Sequence, residues 1–253
     1  MANTPRSSKA TRAGTDAPVP AEEAKRPLPR RVLRWAGRAI AAIGAAFLFL
    51  ILLFAVVPPP TTLYMASESF RLGGVERDWV GGDQIAPVMF RSVVAAEDAN
   101  FCLHWGFDLA EIRRAVEQGS NRGASTITQQ VVKNVFLWHG RNWARKAMEA
   151  VMTPVVELVW TKRRVLVVYL NVAEFGEGIF GVEAAAQHYF GIPAAKLSPT
   201  QAARLAAVLP NPKERNPARP SGSLRKRAAA ILDGAETIRV DGRAGCFEPA
   251  GSD

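Results

Sequence analysis

The chain has few of the residues that build metal and disulfide sites. It carries two cysteines, Cys102 and Cys246, and three histidines in 253 residues. The histidines are scattered, with no His-x-x-x-His pair, which argues against a protein metal site. The two thiols could pair in an oxidising compartment, but nothing in the sequence brings them together, and a buried free thiol is expected at Cys102. No internal repeat is visible, so a stacked-repeat architecture is set aside. Charge away from the N-terminus is nearly balanced. Residues 1–38 hold nine Lys/Arg against three acids, whereas the remaining residues hold 23 against 20. The formal charge of +9 is therefore mostly a tail property and does not indicate a nucleic-acid partner.

One stretch lacks charge altogether. Ala39 to Val57 is a 19-residue apolar run without a polar face. As a helix it is about 28 Å long, close to the hydrocarbon thickness of a bilayer. It is too long for a signal peptide and ends at Pro58-Pro59-Pro60 instead of a small-residue cleavage site. An uncleaved membrane anchor is expected. Lys25, Arg26, Arg30, Arg31, Arg34 and Arg38 precede it, so the positive-inside rule puts the N-terminus in the cytoplasm and residues 58–253 in a bacterial periplasm.

What remains is 48% apolar, enough for a core, and reads as mainly α. Residues 1–29, rich in Ala, Pro, Ser and Arg, are expected to be disordered. Pro58–Thr62 reads as a stiff linker, and residues 63–82 allow a short two-stranded element. The spacing of Val88, Met89, Val93 and Val94 predicts a helix over Ile85–Ala96. Thr126 with Gln129 has the form of a capping box opening a helix to about Leu137. Trp143–Asn171, with Pro154 inside, predicts two helices or one kinked helix. Further helices are expected over Val182–Tyr189, Thr200–Val208 and Ser223–Asp233. Gly176-Glu177-Gly178-Ile179-Phe180-Gly181 fits the dinucleotide fingerprint in letters, but lacks a βαβ setting and a later acid, so it reads as a turn between helices.

The chemistry gathers in two places. Glu97 and Asp98 form an adjacent carboxylate pair behind the apolar run Val93–Ala96, where desolvation would raise the Glu97 pKa toward that of a general base. His104 reads as a support for this pair, and Phe101 and Phe107 as core. Thr126, Gln130 and Lys133, spaced i, i+4, i+7, share a helix face. Arg141, Arg145 and Glu149, spaced i, i+4, i+8, share another. Taken alone, the second row is an exposed Arg–Glu pair. Beside the first row it makes a cationic cleft floor, suited to a substrate that carries phosphate and a reacting hydroxyl.

These segments resemble the peptidoglycan glycosyltransferases (glycosyltransferase family 51). The matching motifs are Glu97-Asp98-x-x-Phe101-x-x-His104-x-Gly106-Phe107, Gly123-x-Ser125-Thr126-Ile127-Thr128-Gln129-Gln130-x-x-Lys133-Asn134, Arg141-x-x-x-Arg145-Lys146-x-x-Glu149 and Tyr169-Leu170-Asn171. The segment Ala184–Gly191 also matches, and the similarity runs from about Ile85 to Pro217. The chain departs at Val167, where many members carry an acid. It has no room for the transpeptidase domain of bifunctional relatives, and Ser223-x-x-Lys226 lacks the Lys-Thr-Gly partner such domains need.

The resemblance implies a lysozyme-like catalytic domain at residues 85–233, with a small membrane-facing jaw around Trp105–Arg122 and Phe136–Trp143. A basic cytoplasmic tail (1–38), one transmembrane helix (39–57) and a linker (58–84) come before it, and a C-terminal tail (234–253) after. Trp138 and Trp143 fit either a membrane interface or the core. The implied reaction polymerises lipid II onto a polyprenyl-diphosphate glycan strand with inversion. Glu97 is the base, Asp98, Phe101 and His104 support it, and Lys133, Arg141 and Arg145 meet the diphosphate. Ser125, Thr126, Gln129, Gln130 and Asn134 would bind substrate oxygens. Glu149 would orient the acceptor or hold a divalent cation against the diphosphate. The sequence requires no cofactor. The membrane and lipid II are the implied partners, and the resemblance leaves room for other cell-wall synthesis proteins. A glycan-cleaving enzyme of similar fold and a membrane-tethered binding protein are the alternatives.

Overall fold

The structure, a computed structural model, describes residue 1 and residues 30–117, 125–140 and 142–248. The expected disordered stretch (bar residue 1), Gly123, Arg141 and the end of the C-terminal tail lie outside the described residues. The chain forms two compact units, Met1–Ile43 and Gly44–Asp253. Helix α1 (Arg30–Phe54) begins in the first unit and ends in the second; it is long and apolar enough to cross a membrane. It starts earlier than the charge-free run, through the basic residues, and stops short of Val57.

Within the second unit the end of α1 is held firmly. Trp160 Nε1 donates to the Ile51 carbonyl at 2.8 Å, and Arg164 donates to the carbonyls of Phe54 and Val57 at 2.8 Å each. These bonds satisfy carbonyls that a helix end leaves without partners, and place a cation at the negative pole of the helix. Arg77 reaches the carbonyls of Pro59 and Pro60, so the linker is fixed by side chains as well as by proline.

The segment expected to pair as strands is mostly helix: α2 (Leu63–Leu72), capped by Thr62 and closed by Gly73 at φ +78°. Burial of Met65 and Glu68 on one face rewards helical spacing there, which leaves only β1 (Glu76–Arg77) extended. Helix α3 (Pro87–Glu97) agrees with the expected element, and α4 (Leu109–Glu117) follows with no buried residue. Next come α5 (Ile127–Phe136), α6 (Trp143–Val159) and α7 (Lys162–Val172). The break between α6 and α7 falls at Trp160-Thr161, where Thr161 caps α7, and Pro154 lies inside α6. The glycine-rich fingerprint is a hairpin, β2 (Glu174–Gly176) and β3 (Ile179–Phe180). Strand β3 also pairs in parallel with β1, giving the order β1-β3-β2. Then follow α8 (Val182–Phe190), α9 (Pro199–Val208) and α10 (Gly222–Val240), the last longer than expected.

Helix α3 packs against α9 and α10, and α5 packs against α6 and α7. Phe90, Phe101, Leu166, Tyr169, Phe175 and Phe180 lie in the shared core. The expectation of a free thiol at Cys102 is overturned: Cys102 and Cys246 form a disulfide with Cα atoms 5.7 Å apart. A contact across 144 residues of sequence has no local signature.

Candidate active site

Helix α3 ends at Glu97 because Asp98 leaves helical geometry (φ −162°) while its N–H still bonds the Val94 carbonyl. The Asp98 carboxylate then fastens two elements. Oδ2 accepts the Ile127 N–H at 3.0 Å, and Oδ1 lies 2.8 Å from His104 Nε2. A buried anion on the first turn of α5 completes donors that the helix cannot satisfy itself. Asp98 is thus the joint between α3 and α5. His104 is braced in turn by Lys162, which donates to its carbonyl at 2.8 Å and pairs with Glu157 at 2.9 Å. Thr128 Oγ1 donates to the same Glu157. Phe101 is fully buried beneath, with the Lys162 ammonium 4.4 Å from its ring centre.

That joint brings Gln130 to Glu97. Gln130 Nε2 donates to Glu97 Oε2 at 3.0 Å, while its Oε1 accepts from the buried Tyr169 hydroxyl at 3.2 Å. Arg227 of α10 stands 3.7 Å from the other Glu97 oxygen. Burial pushes the Glu97 carboxyl above the ordinary glutamate range; the Gln130 bond and the charges of Arg227 and Lys133 oppose this without cancelling it. Burial also lowers the Lys133 ammonium, against the pull of Glu149 and Glu97. Lys133 therefore stands in the electrostatic field of both carboxylates, one turn beyond Gln130. Among the described residues, no side chain pairs directly with its ammonium. Asn134 is half-buried beside it.

The second row is a buried cluster, not an exposed pair. Asn142 caps α6, and Arg145 bonds Glu149 at 2.8 Å with side chains only 12% and 3% exposed. Lys146 bonds the other Glu149 oxygen and reaches Ser125 Oγ at 3.5 Å. Arg145 Nε also holds the Gly140 carbonyl, and His139 stacks on Tyr64 with ring centres 3.7 Å apart, so the approach to α6 is fixed.

Two expected substrate-binding residues do other work. Thr126 and Gln129 are buried and form the reciprocal capping box of α5, and the Thr126 hydroxyl also donates to the Gly106 carbonyl at 2.7 Å. Their polar atoms complete the helix start. Gly106 sits at φ +81°, where an added Cβ would meet Thr153 Cγ2 at 2.5 Å. Asn171 clamps the chain before α3 through both the N–H and the carbonyl of Val80. Val167, at the departing position, is core.

Sequence reasoning missed Arg227, Lys146 and Tyr169 as members of the site. Lys146 and Tyr169 lie inside recognised motifs, which was the available signal. Arg227 had none, because packing of α10 on α3 brings it from far along the chain.

The spacing of the histidines did not anticipate that Asp98, His104 and Asp108 come together, with one ligating atom of each within 4.8 Å of the others. Their carboxylates are already engaged: Asp98 by His104 and Ile127, Asp108 by Asn100 and the Glu111 N–H. Glu149 also does not fit a resident divalent cation, since both its oxygens meet cationic side chains. Beside His104 opens a groove of about 610 Å³, lined in part by Leu103, Trp105, Phe107 and Leu109. Trp105 and Trp143 are 72% and 90% exposed, and Leu103, Leu109, Val116 and Trp138 are exposed too, so neither tryptophan of the Trp138–Trp143 pair is core.

Comparison with known proteins matches residues 66–236 to a family described as Transglycosylase. The chain is 62% identical to the biosynthetic peptidoglycan transglycosylase of Jannaschia sp. (strain CCS1), over 87% of this chain and 92% of that protein. It is 50% identical to the protein of that name from Cronobacter sakazakii (strain ATCC BAA-894), over 80% and 88%. For the one from Escherichia coli O127:H6 (strain E2348/69 / EPEC) the figures are 54% identity over 72% and 80%.

Proposed function

The chain belongs to the transglycosylase family, and on that premise we propose how its site works. The activity is that of a peptidoglycan glycosyltransferase polymerising glycan strands. The substrate is lipid II, and the donor is a glycan strand on a polyprenyl diphosphate. An acceptor sugar hydroxyl attacks the donor anomeric carbon, and Glu97 takes the hydroxyl proton as the new C–O bond forms. The bond to the diphosphate breaks on the opposite face, with its electron pair leaving on the diphosphate, so the configuration inverts.

A diphosphate leaves without a strong acid but needs cations where its charge grows. Lys133, Arg145 and Lys146 supply them, with Arg141 the sequence candidate for a fourth. Glu149 holds Arg145 and Lys146 in place, and Ser125 and Gln130 offer polar contacts to substrate oxygens. No step requires a resident metal; activity measured with and without a divalent cation tests that point.

The observation that carries this reading is the Glu97–Gln130–Lys133 arrangement: a desolvated carboxylate and a desolvated ammonium on one helix face, each in the other's field. A glycan-cleaving enzyme needs a protonated acid and a water site and gains little from a cation row. The exposed apolar groups of 103–117 support a membrane-facing jaw on a lysozyme-like domain. Helix α1 supports a single-pass anchor with the catalytic domain on the periplasmic side of the inner membrane.

Purified protein given lipid II should make glycan chains, and should leave finished glycan intact. Glu97→Gln should abolish polymerisation while retaining the fold. Shortening of finished glycan without synthesis from lipid II would overturn the proposal.

A further inference from the structure

The segment that carries the catalytic pair is held from both sides. On one side Glu97 and Asp98 bond α5. On the other, the stretch after α10, residues 241–248, lies along it. Arg243 donates to the Ala99 carbonyl at 3.0 Å, Phe247 packs on Phe101 with ring centres 6.4 Å apart, and Cys246 is bonded to Cys102. The strap is itself anchored. Arg163 donates to the Phe247 carbonyl at 2.9 Å, and Arg91 pairs with Glu248 at 2.8 Å with both side chains largely buried. Between Asp98 and His104 the chain has one turn of 3₁₀ helix, so its shape depends on these outside attachments.

We infer that the Cys102–Cys246 disulfide positions the Glu97–His104 segment, and that polymerisation is thereby coupled to the thiol–disulfide state of this pair. The inference rests on Glu97 acting as the base of the proposed reaction. Cys246 is exposed and Cys102 half-buried, so an outside dithiol attacks the Cys246 sulfur. Cys102 leaves as a thiolate and takes up a proton. The second thiol of the reductant resolves the mixed disulfide and frees Cys246. Two electrons and two protons pass to the pair, and the dithiol becomes a disulfide. The remaining links to the strap are each worth on the order of 1 kcal/mol. The strap can then detach locally while the core stays folded. Glu97 would lose its fixed place among Asp98, Gln130 and Lys133 of α5, Tyr169 of α7 and Arg227 of α10.

The test uses the full chain with lipid II, oxidised and after dithiothreitol, reading kcat, KM, the pH profile of kcat/KM and the thermal melt. The reduced protein should stay folded at the assay temperature and lose kcat by about tenfold or more, with KM little changed. The acid limb of its profile should move to lower pH as Glu97 regains water, and re-oxidation should restore both. The double variant Cys102→Ser/Cys246→Ser should match the reduced protein and ignore dithiothreitol. An unchanged kcat and pH limb in the reduced protein would overturn the inference, even with a lower melting temperature. So would unfolding on reduction, because the bond would then hold the whole domain and not this segment. No polymerisation by the oxidised protein would instead overturn the proposed function, and this inference with it.

Discussion

Replacing Gln130 by Leu separates two jobs of one side chain. Its amide nitrogen donates to Glu97 and its oxygen accepts from Tyr169. A hydrogen bond to a charged group contributes about 1.5–3 kcal/mol, and here only the ionised carboxylate receives it. At about 1.4 kcal/mol per factor of ten, the ionised fraction of Glu97 on the acid side should fall roughly ten- to hundredfold. The Gln130 bond lowers the Glu97 pKa, so losing it raises that pKa further, and the acid limb of kcat/KM moves to higher pH. Meanwhile the Tyr169 hydroxyl loses its acceptor in the core, at a cost of about 1–3 kcal/mol of stability, or about 2–4 °C of melting temperature per kcal/mol for a domain of this size. Adding Tyr169→Phe removes the stranded hydroxyl. The double variant should therefore recover most of the melting temperature while its acid limb stays displaced. The assay is lipid II polymerisation across pH, with thermal melts of all three proteins. An acid limb in Gln130→Leu that coincides with wild type would refute the placement of Glu97 as the titrating base.

Lys133 must be charged to meet the diphosphate, and burial lowers its pKa, so kcat/KM should show an alkaline limb below the ordinary lysine range. Lys133→Arg should remove that limb, and Lys133→Ala should cost about 10²–10³ in rate, as for loss of one transition-state donor; wild-type kinetics in the alanine variant would contradict the cation argument. Glu97→Gln should melt no lower than wild type at neutral pH. The folded-state pKa of Glu97 is raised, so ionising it costs folding free energy as pH climbs from the unfolded to the folded value, and the amide escapes that cost; a clear fall in melting temperature would count against this. Glu149→Gln should lower stability by about 3–5 kcal/mol, because Arg145 and Lys146 lose a buried partner. An unchanged melt would show the cluster to be no stronger than a surface pair.

Helix identity was legible wherever apolar spacing or a cap stood in the sequence: α3, α5, α8 and α9 follow from such signals. The failures have physical causes. Residues 63–72 carry short-range signals that suit strand or helix, and burial of Met65 and Glu68 decides between them. The glycine-rich run reads as a turn until β1 supplies a third strand for it to pair with. The polar residues at the start of α5 share one motif, yet only solid geometry divides Thr126 and Gln129, which close the helix end, from Gln130 and Lys133, which face Glu97.

Sequence alone determined the anchor, the family motifs, and a carboxylate that follows an oily helix, because each is written in contiguous residues or a fixed helical period. Tertiary structure decided what stands against that carboxylate. Arg227 arrives from α10, Tyr169 from α7, and the strap bound to Cys102 from the far end of the described chain. Their approach depends on how helices pack, and packing is a property of surfaces that no local stretch of residues encodes.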